Sequence, residues 1–152
     1  VMPNMPASIG ESMNCVVSND KKNKTKLNEV IKLFSYSGIT ILLESEKLLD
    51  MATAISGSGP GYVFNLIDAM EKAAVKLGFT RKIANKMVTQ TFKGSINLLI
   101  KNNLSAEKLA KTVATKGGTT EAGLNIMKKN NLHKIFIDLT RASYNRAKDQ
   151  GN

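Results

Sequence analysis

Tryptophan is absent from this 152-residue chain, and cysteine and histidine occur once each, as Cys15 and His133. One cysteine excludes an intrachain disulfide and a cysteine-rich metal site. One histidine among scattered carboxylates offers no metal cluster. Aromatic residues make up 5% of the sequence, so a core has to be packed from Leu, Ile, Val, Met and Ala. Arginine supplies only three of the 22 basic residues. A net charge of +10 raises the question of a nucleic-acid partner. The shortage of arginine, the residue suited to bidentate phosphate and base contacts, argues against one. The lysines are also spread along the chain without interleaved aromatics, the pattern of a solvated surface. Long apolar runs are missing too. Ile96 and Leu98 to Ile100 fall far short of the ~20 residues that cross a bilayer. No charged start followed by an apolar stretch opens the sequence, so no signal peptide is read and the cytoplasm is the expected location.

At 42% hydrophobic residues the chain can bury a core, and its length suits one domain or a little more. Residues 1–44 differ from the remainder. Met13 to Ser18 has β character, Lys21 to Lys26 reads as a polar loop, and Leu27 to Phe34 has helical spacing. Gly38 stops that helix, and Ile39 to Leu43 reads as a strand. This β-α-β order is too small to close a sheet, which leaves two strands with edges to be covered by a partner chain or a rearranged pairing.

From Ser45 the pattern is helical. Ser45 is placed to cap a helix reaching Ile55, with Glu46 in its first turn. Ser56 to Gly61 interrupts it, and Pro60 fits the first turn of the next helix, which Gly78 ends. Thr80 is placed to cap a long helix to about Asn102. Its stripe is Ala84, Met87, Val88, Thr91, Ser95, Leu98 and Leu99. Ser105 opens a short helix to about Thr112, and two more run from Glu121 to Asn130 and from Leu132 to Asp149. Several helices are apolar on more than one face, which points to association through helices.

Chemistry concentrates in Thr115-Lys116-Gly117-Gly118-Thr119-Thr120. Adjacent glycines let backbone approach a ligand closely, and threonines add hydroxyl donors where a helix begins. Such a turn can hold a small anion on backbone N–H groups. The same residues also suit a plain helix stop and a helix cap. Ser56 to Gly61 is likewise open between a helix-turn-helix break and a ligand contact. Asn4 reads as a strand-end turn residue or a support for a substrate loop, and His133 as a surface residue.

Three segments resemble one family. SGSGPGYVF (Ser56 to Phe64) and VATKGGTTEAGL (Val113 to Leu124) are similar to the two signature segments of pyrroline-5-carboxylate reductase. MPNMPASIGE (Met2 to Glu11) resembles a third segment, usually MPNTPA. The fold this implies is mainly α. A helical dimerisation domain, of the 6-phosphogluconate dehydrogenase C-terminal-like kind, would span 45–152. A short α/β remnant of a dinucleotide-binding Rossmann domain would span 1–44. The activity implied is the last step of proline biosynthesis, reduction of 1-pyrroline-5-carboxylate to L-proline with NADPH or NADH. The partners implied are a homodimer, a larger ring of dimers and a small-molecule substrate.

By the same resemblance, Thr115, Gly117, Gly118, Thr119 and Thr120 bind substrate. The Thr120 hydroxyl is the catalytic group, bonding the ring nitrogen. Thr112 and Val113 lie where the family contacts the nicotinamide. Two positions depart from the family pattern: Thr115-Lys116 replaces Ser-Pro, and Thr112 replaces an asparagine. With no GxGxxG after a strand, the chain alone is expected to be inactive. The alternatives are a non-catalytic helical dimerisation module or one subunit of a split enzyme.

Overall fold

A computed structural model describes residues 1–18 and 23–151. Lys21 and Lys22 of the expected polar loop lie outside the described residues. A 3-10 turn, Met5–Ile9, leads into strand β1, Ser12–Val17. Helix α1, Lys24–Ser35, then returns the chain to strand β2, Gly38–Leu43. The strands pair in parallel, from Ser12 opposite Gly38 to Val17 opposite Leu43. Gly38 is obligatory at its φ of 146°, because a Cβ there would run into the Ser12 backbone.

The two strands form a two-stranded sheet, so β2 keeps an edge with no strand partner among the described residues. Met2 also forms an antiparallel bridge to Cys15, which covers part of the second edge of β1. Helix α1 starts at Lys24 rather than Leu27, so Lys24 and Lys26 belong to its first turn and not to a loop. The Asn23 side chain accepts from Lys26 N–H at 3.2 Å and caps that turn.

Beneath the strands lies a buried polar knot. Asn14 is fully buried, and its Nδ2 donates to Phe34 O at 2.8 Å and reaches Ser37 Oγ and Thr40 Oγ1 at 3.2 Å. Ser12 Oγ donates to Asn14 Oδ1 at 2.7 Å. Cys15, Val16 and Ala54 supply the apolar part of this core.

Helix α2, Glu46–Ala52, does not run to Ile55 as an α-helix. A π-helical turn, Thr53–Gly57, follows, closed by Ser58 N–H to Thr53 O at 2.9 Å. The Thr53 and Ser56 hydroxyls both bond back, to Leu49 O and Ala52 O. Such back-bonding competes with the regular ladder and favours the wider turn. The glycine-rich stretch thus bends only at Ser58 before helix α3, Gly59–Lys76, takes over with Pro60 in its first turn. Ser45 stands at the N-cap of α2, yet its side chain makes no capping bond among the described residues.

Gly78, at φ 107°, ends the α3 segment. Helix α4, Arg81–Lys101, is capped by Thr80, whose Oγ1 accepts from Ile83 N–H at 3.4 Å. Helix α5, Ala106–Val113, is capped by Ser105. Helix α6 spans Thr119–Lys129 and helix α7 Leu132–Gly151. Helix α6 begins at Thr119, not at Glu121, because Gly118 already has extended N-cap geometry and its carbonyl accepts from Ala122 N–H. The chain divides into two compact units, Val1–Val63 with Ile137–Asn152, and Phe64–Phe136. In the second unit Ala84 and Val88 are buried, while Met87, Leu98 and Leu99 of the same stripe are exposed.

Candidate functional site

The Thr115–Thr120 turn joins α5 to α6 inside the second unit. Its shape follows from its glycines. Gly117 takes a left-handed φ of 74°, which a side chain would disfavour. A Cβ on Gly118 would stand 2.5 Å from Thr115 Oγ1 and 3.0 Å from Thr115 O. Gly118 N–H closes the turn on that same carbonyl at 2.9 Å. Thr119, Thr120 and Glu121 then form the first turn of α6, where N–H groups have no intrahelical acceptor and the helix dipole favours an anion.

The proposed substrate donors are not equally available. Gly117 N–H is held by Glu121 Oε2 at 2.8 Å, and Gly118 N–H is used within the turn. The Thr120 hydroxyl makes no hydrogen bond among the described residues and is half-buried. Thr112 is different, because its Oγ1 donates to Lys108 O at 3.0 Å in its own helix. Val113 is exposed and lines an open apolar hollow of about 320 Å³ with Leu98, Leu99, Leu109 and Ala110. The structure therefore brings Thr115, Gly117, Gly118, Thr119 and Thr120 into one turn, with Thr112 and Val113 at the end of the helix before it.

Sequence reasoning missed Glu121. A glutamate three residues after an N-cap is the signal that could have revealed it. With glycine rather than serine or threonine at the cap, the usual signature is incomplete. On α5, Lys111 forms an exposed 2.6 Å ion pair with Glu107. The hydrogen bond from Lys111, reinforced by its charge, holds the Glu107 carboxyl below its ordinary value.

Elsewhere, in the first unit, Asn4 anchors the π-helical turn. Its Nδ2 donates to Ser56 O at 3.0 Å, while its Oδ1 accepts from Met13 N–H at 3.1 Å. Among the described residues no three His, Cys, Asp or Glu side chains converge on a common point. Among them, too, no helix is long and apolar enough to cross a membrane.

Fold and turn together define a mainly helical chain, with a parallel β-α-β segment in front and an anion-suited turn between two of its helices. Residues 46–150 match the family model described as pyrroline-5-carboxylate reductase dimerisation, and the chain belongs to that family. Pyrroline-5-carboxylate reductase 2 of Bacillus subtilis is 37% identical over 137 residues, covering 90% of this chain and 49% of that protein. The pyrroline-5-carboxylate reductase of a Synechocystis strain is 33% identical over 150 residues, 99% of this chain and 56% of that protein. A crystal structure of Plasmodium falciparum pyrroline carboxylate reductase with NADP bound superposes with a TM-score of 0.93 at 34% identity. That match covers 99% of this chain and 62% of the other. The chain thus spans about half the length of the curated relatives it matches.

Proposed function

We propose that this chain is the substrate-binding and dimerisation part of a pyrroline-5-carboxylate reductase. Its substrate is 1-pyrroline-5-carboxylate and its product L-proline. Residues 45–152 are the helical domain and residues 1–44 the closing portion of a dinucleotide-binding domain, and the assembly is a cytoplasmic homodimer, extended in a ring of dimers. The observation that carries the reading is the Thr120 hydroxyl, which has no hydrogen-bond partner among the described residues and stands in the first turn of a helix, where an anion is favoured.

The substrate offers a carboxylate and an imine nitrogen that becomes an amine. Backbone N–H groups of Thr119 and Thr120 suit the carboxylate, that of Gly117 only when freed from Glu121, with Thr115 and Gly118 shaping the turn. The Thr120 hydroxyl suits the ring nitrogen, which gains a proton as reduction proceeds. Residues described in this chain do not fit a dinucleotide. The Thr112 hydroxyl is spent on Lys108 O, and the sequence between β1 and α1 has no glycine to seat a pyrophosphate. NADPH or NADH, which supplies the hydride, therefore has to be carried by a dinucleotide-binding domain beyond these residues.

Calorimetric titration of the chain with L-proline tests the site. Binding is expected, and Thr120→Ala should abolish it. Mixing the chain with a dinucleotide-binding domain of this family and NADPH should yield reduction, about 100-fold slower with Thr120→Ala. Failure of the unaltered chain to bind L-proline would sink the reading. It would leave a non-catalytic dimerisation module, whereas the other alternative, a subunit of a split enzyme, predicts binding and needs the second domain for reduction. The engaged Thr112 hydroxyl and Gly117 N–H favour the non-catalytic module.

A further inference from the structure

Glu121 places a carboxylate on the very turn that is suited to a substrate carboxylate. In an ordinary capping box the glutamate at this helix position accepts from the N-cap N–H. Here the N-cap is Gly118, and its N–H is already closed on Thr115 O at 2.9 Å. Glu121 reaches one residue further back and takes Gly117 N–H at 2.8 Å. No lysine or arginine forms an ion pair with Glu121 among the described residues. A carboxylate arriving at the turn therefore meets an occupied donor and a like charge that has no ion-pair partner among the described residues.

We propose that Glu121 gates this turn as an internal competitor for the ligand's carboxylate, so that binding requires its side chain to release Gly117 N–H. The proposal rests on the reading of the turn as a carboxylate site. It makes Glu121 a determinant of affinity rather than a group that touches the reacting atoms. The Glu121 side chain is half-buried and held by one backbone donor among the described residues, so release breaks one hydrogen bond. The competition is electrostatic as well as steric, and it weakens as salt screens the two carboxylates.

Titration of the full chain with L-proline, alongside Glu121→Gln and Glu121→Ala, tests the gate. Glu121→Gln keeps an acceptor oxygen of the same reach and removes the charge. It should bind roughly fivefold to tenfold tighter at low salt, with the gain shrinking at high salt. Glu121→Ala removes both charge and cap, and should bind at least as tightly as Glu121→Gln although it melts lower. Unchanged or weaker affinity in Glu121→Gln, with binding intact in the unaltered chain, overturns the gate alone. Lowered melting of Glu121→Ala without any gain in affinity reduces Glu121 to a helix cap and also overturns it. Absence of L-proline binding in all three proteins overturns the carboxylate site, and the gate falls with it.

Discussion

At the scale of single residues, the outcome turns on which polar groups are engaged and which are spare. Thr112 and Thr120 are the same amino acid near the same turn, yet one hydroxyl is bonded to Lys108 O and the other has no partner among the described residues. Helix position decides this. A threonine late in α5 has a carbonyl one turn behind it, whereas one in the first turn of α6 has none. Asn14 shows the opposite extreme, with no exposure and all of its polar atoms engaged. Asn14→Ala should lower stability by about 2 kcal/mol, since Ser12 would keep a buried hydroxyl with fewer partners and Thr40 would lose its bond to Asn14. Urea unfolding at fixed protein concentration measures it, and a change under half that size would show that the knot readily re-forms without Asn14. The roles of Gly117 and Gly118 as turn-formers were legible in the sequence as adjacent glycines: Gly117 takes a left-handed φ, and Gly118 has no room for a Cβ beside Thr115. Asn14 gave no such signal. Its importance depends on Phe34, Ser37 and Thr40, which local pattern does not relate to it.

At the scale of elements, helix positions followed from periodicity and caps. Thr80 and Ser105 cap α4 and α5 as their sequence context implies. Ser45 occupies an equivalent place before α2 and makes no capping bond among the described residues. Thr80→Ala should therefore cost about 0.5–1 kcal/mol, the low end because its 3.4 Å bond is long. Ser45→Ala should stay within about 0.5 kcal/mol. Thermal or urea unfolding of both variants checks the pair, and equal losses would contradict the assignment. The π-helical turn at Thr53–Gly57 was not legible. Sequence suggested a glycine-driven break, whereas back-bonded hydroxyls and the Asn4 bond to Ser56 O keep the backbone helical there. The early start of α6 was missed for a related reason. Gly118 adopts N-cap geometry without a capping side chain, so the usual marker of a helix start is absent.

At the scale of the whole molecule, exposed apolar side chains are the main fact. On α4 alone Ile83, Met87, Ile96 and Ile100 are exposed, Ile100 to 75%. Covering the exposed half of such a side chain is worth about 1 kcal/mol, so a self-association that buries many of them can offset the cost of association. Sedimentation equilibrium should show a concentration-dependent dimer. Replacing Ile96 and Ile100 with lysine together should weaken it at least tenfold. A monomer at every concentration would contradict a dimerisation role for this surface. The sequence by itself determined the mainly α class, the order of the elements, the glycine turn and the family, because these depend on short-range periodicity, backbone angles and contiguous motifs. Tertiary structure decided the mutual pairing of β1 and β2, the polar knot around Asn14 and the hold of Asn4 on the π-helical turn. Those features join residues far apart in the chain, 52 positions in the case of Asn4 and Ser56. Their existence depends on donors and acceptors meeting in space, which no local pattern encodes.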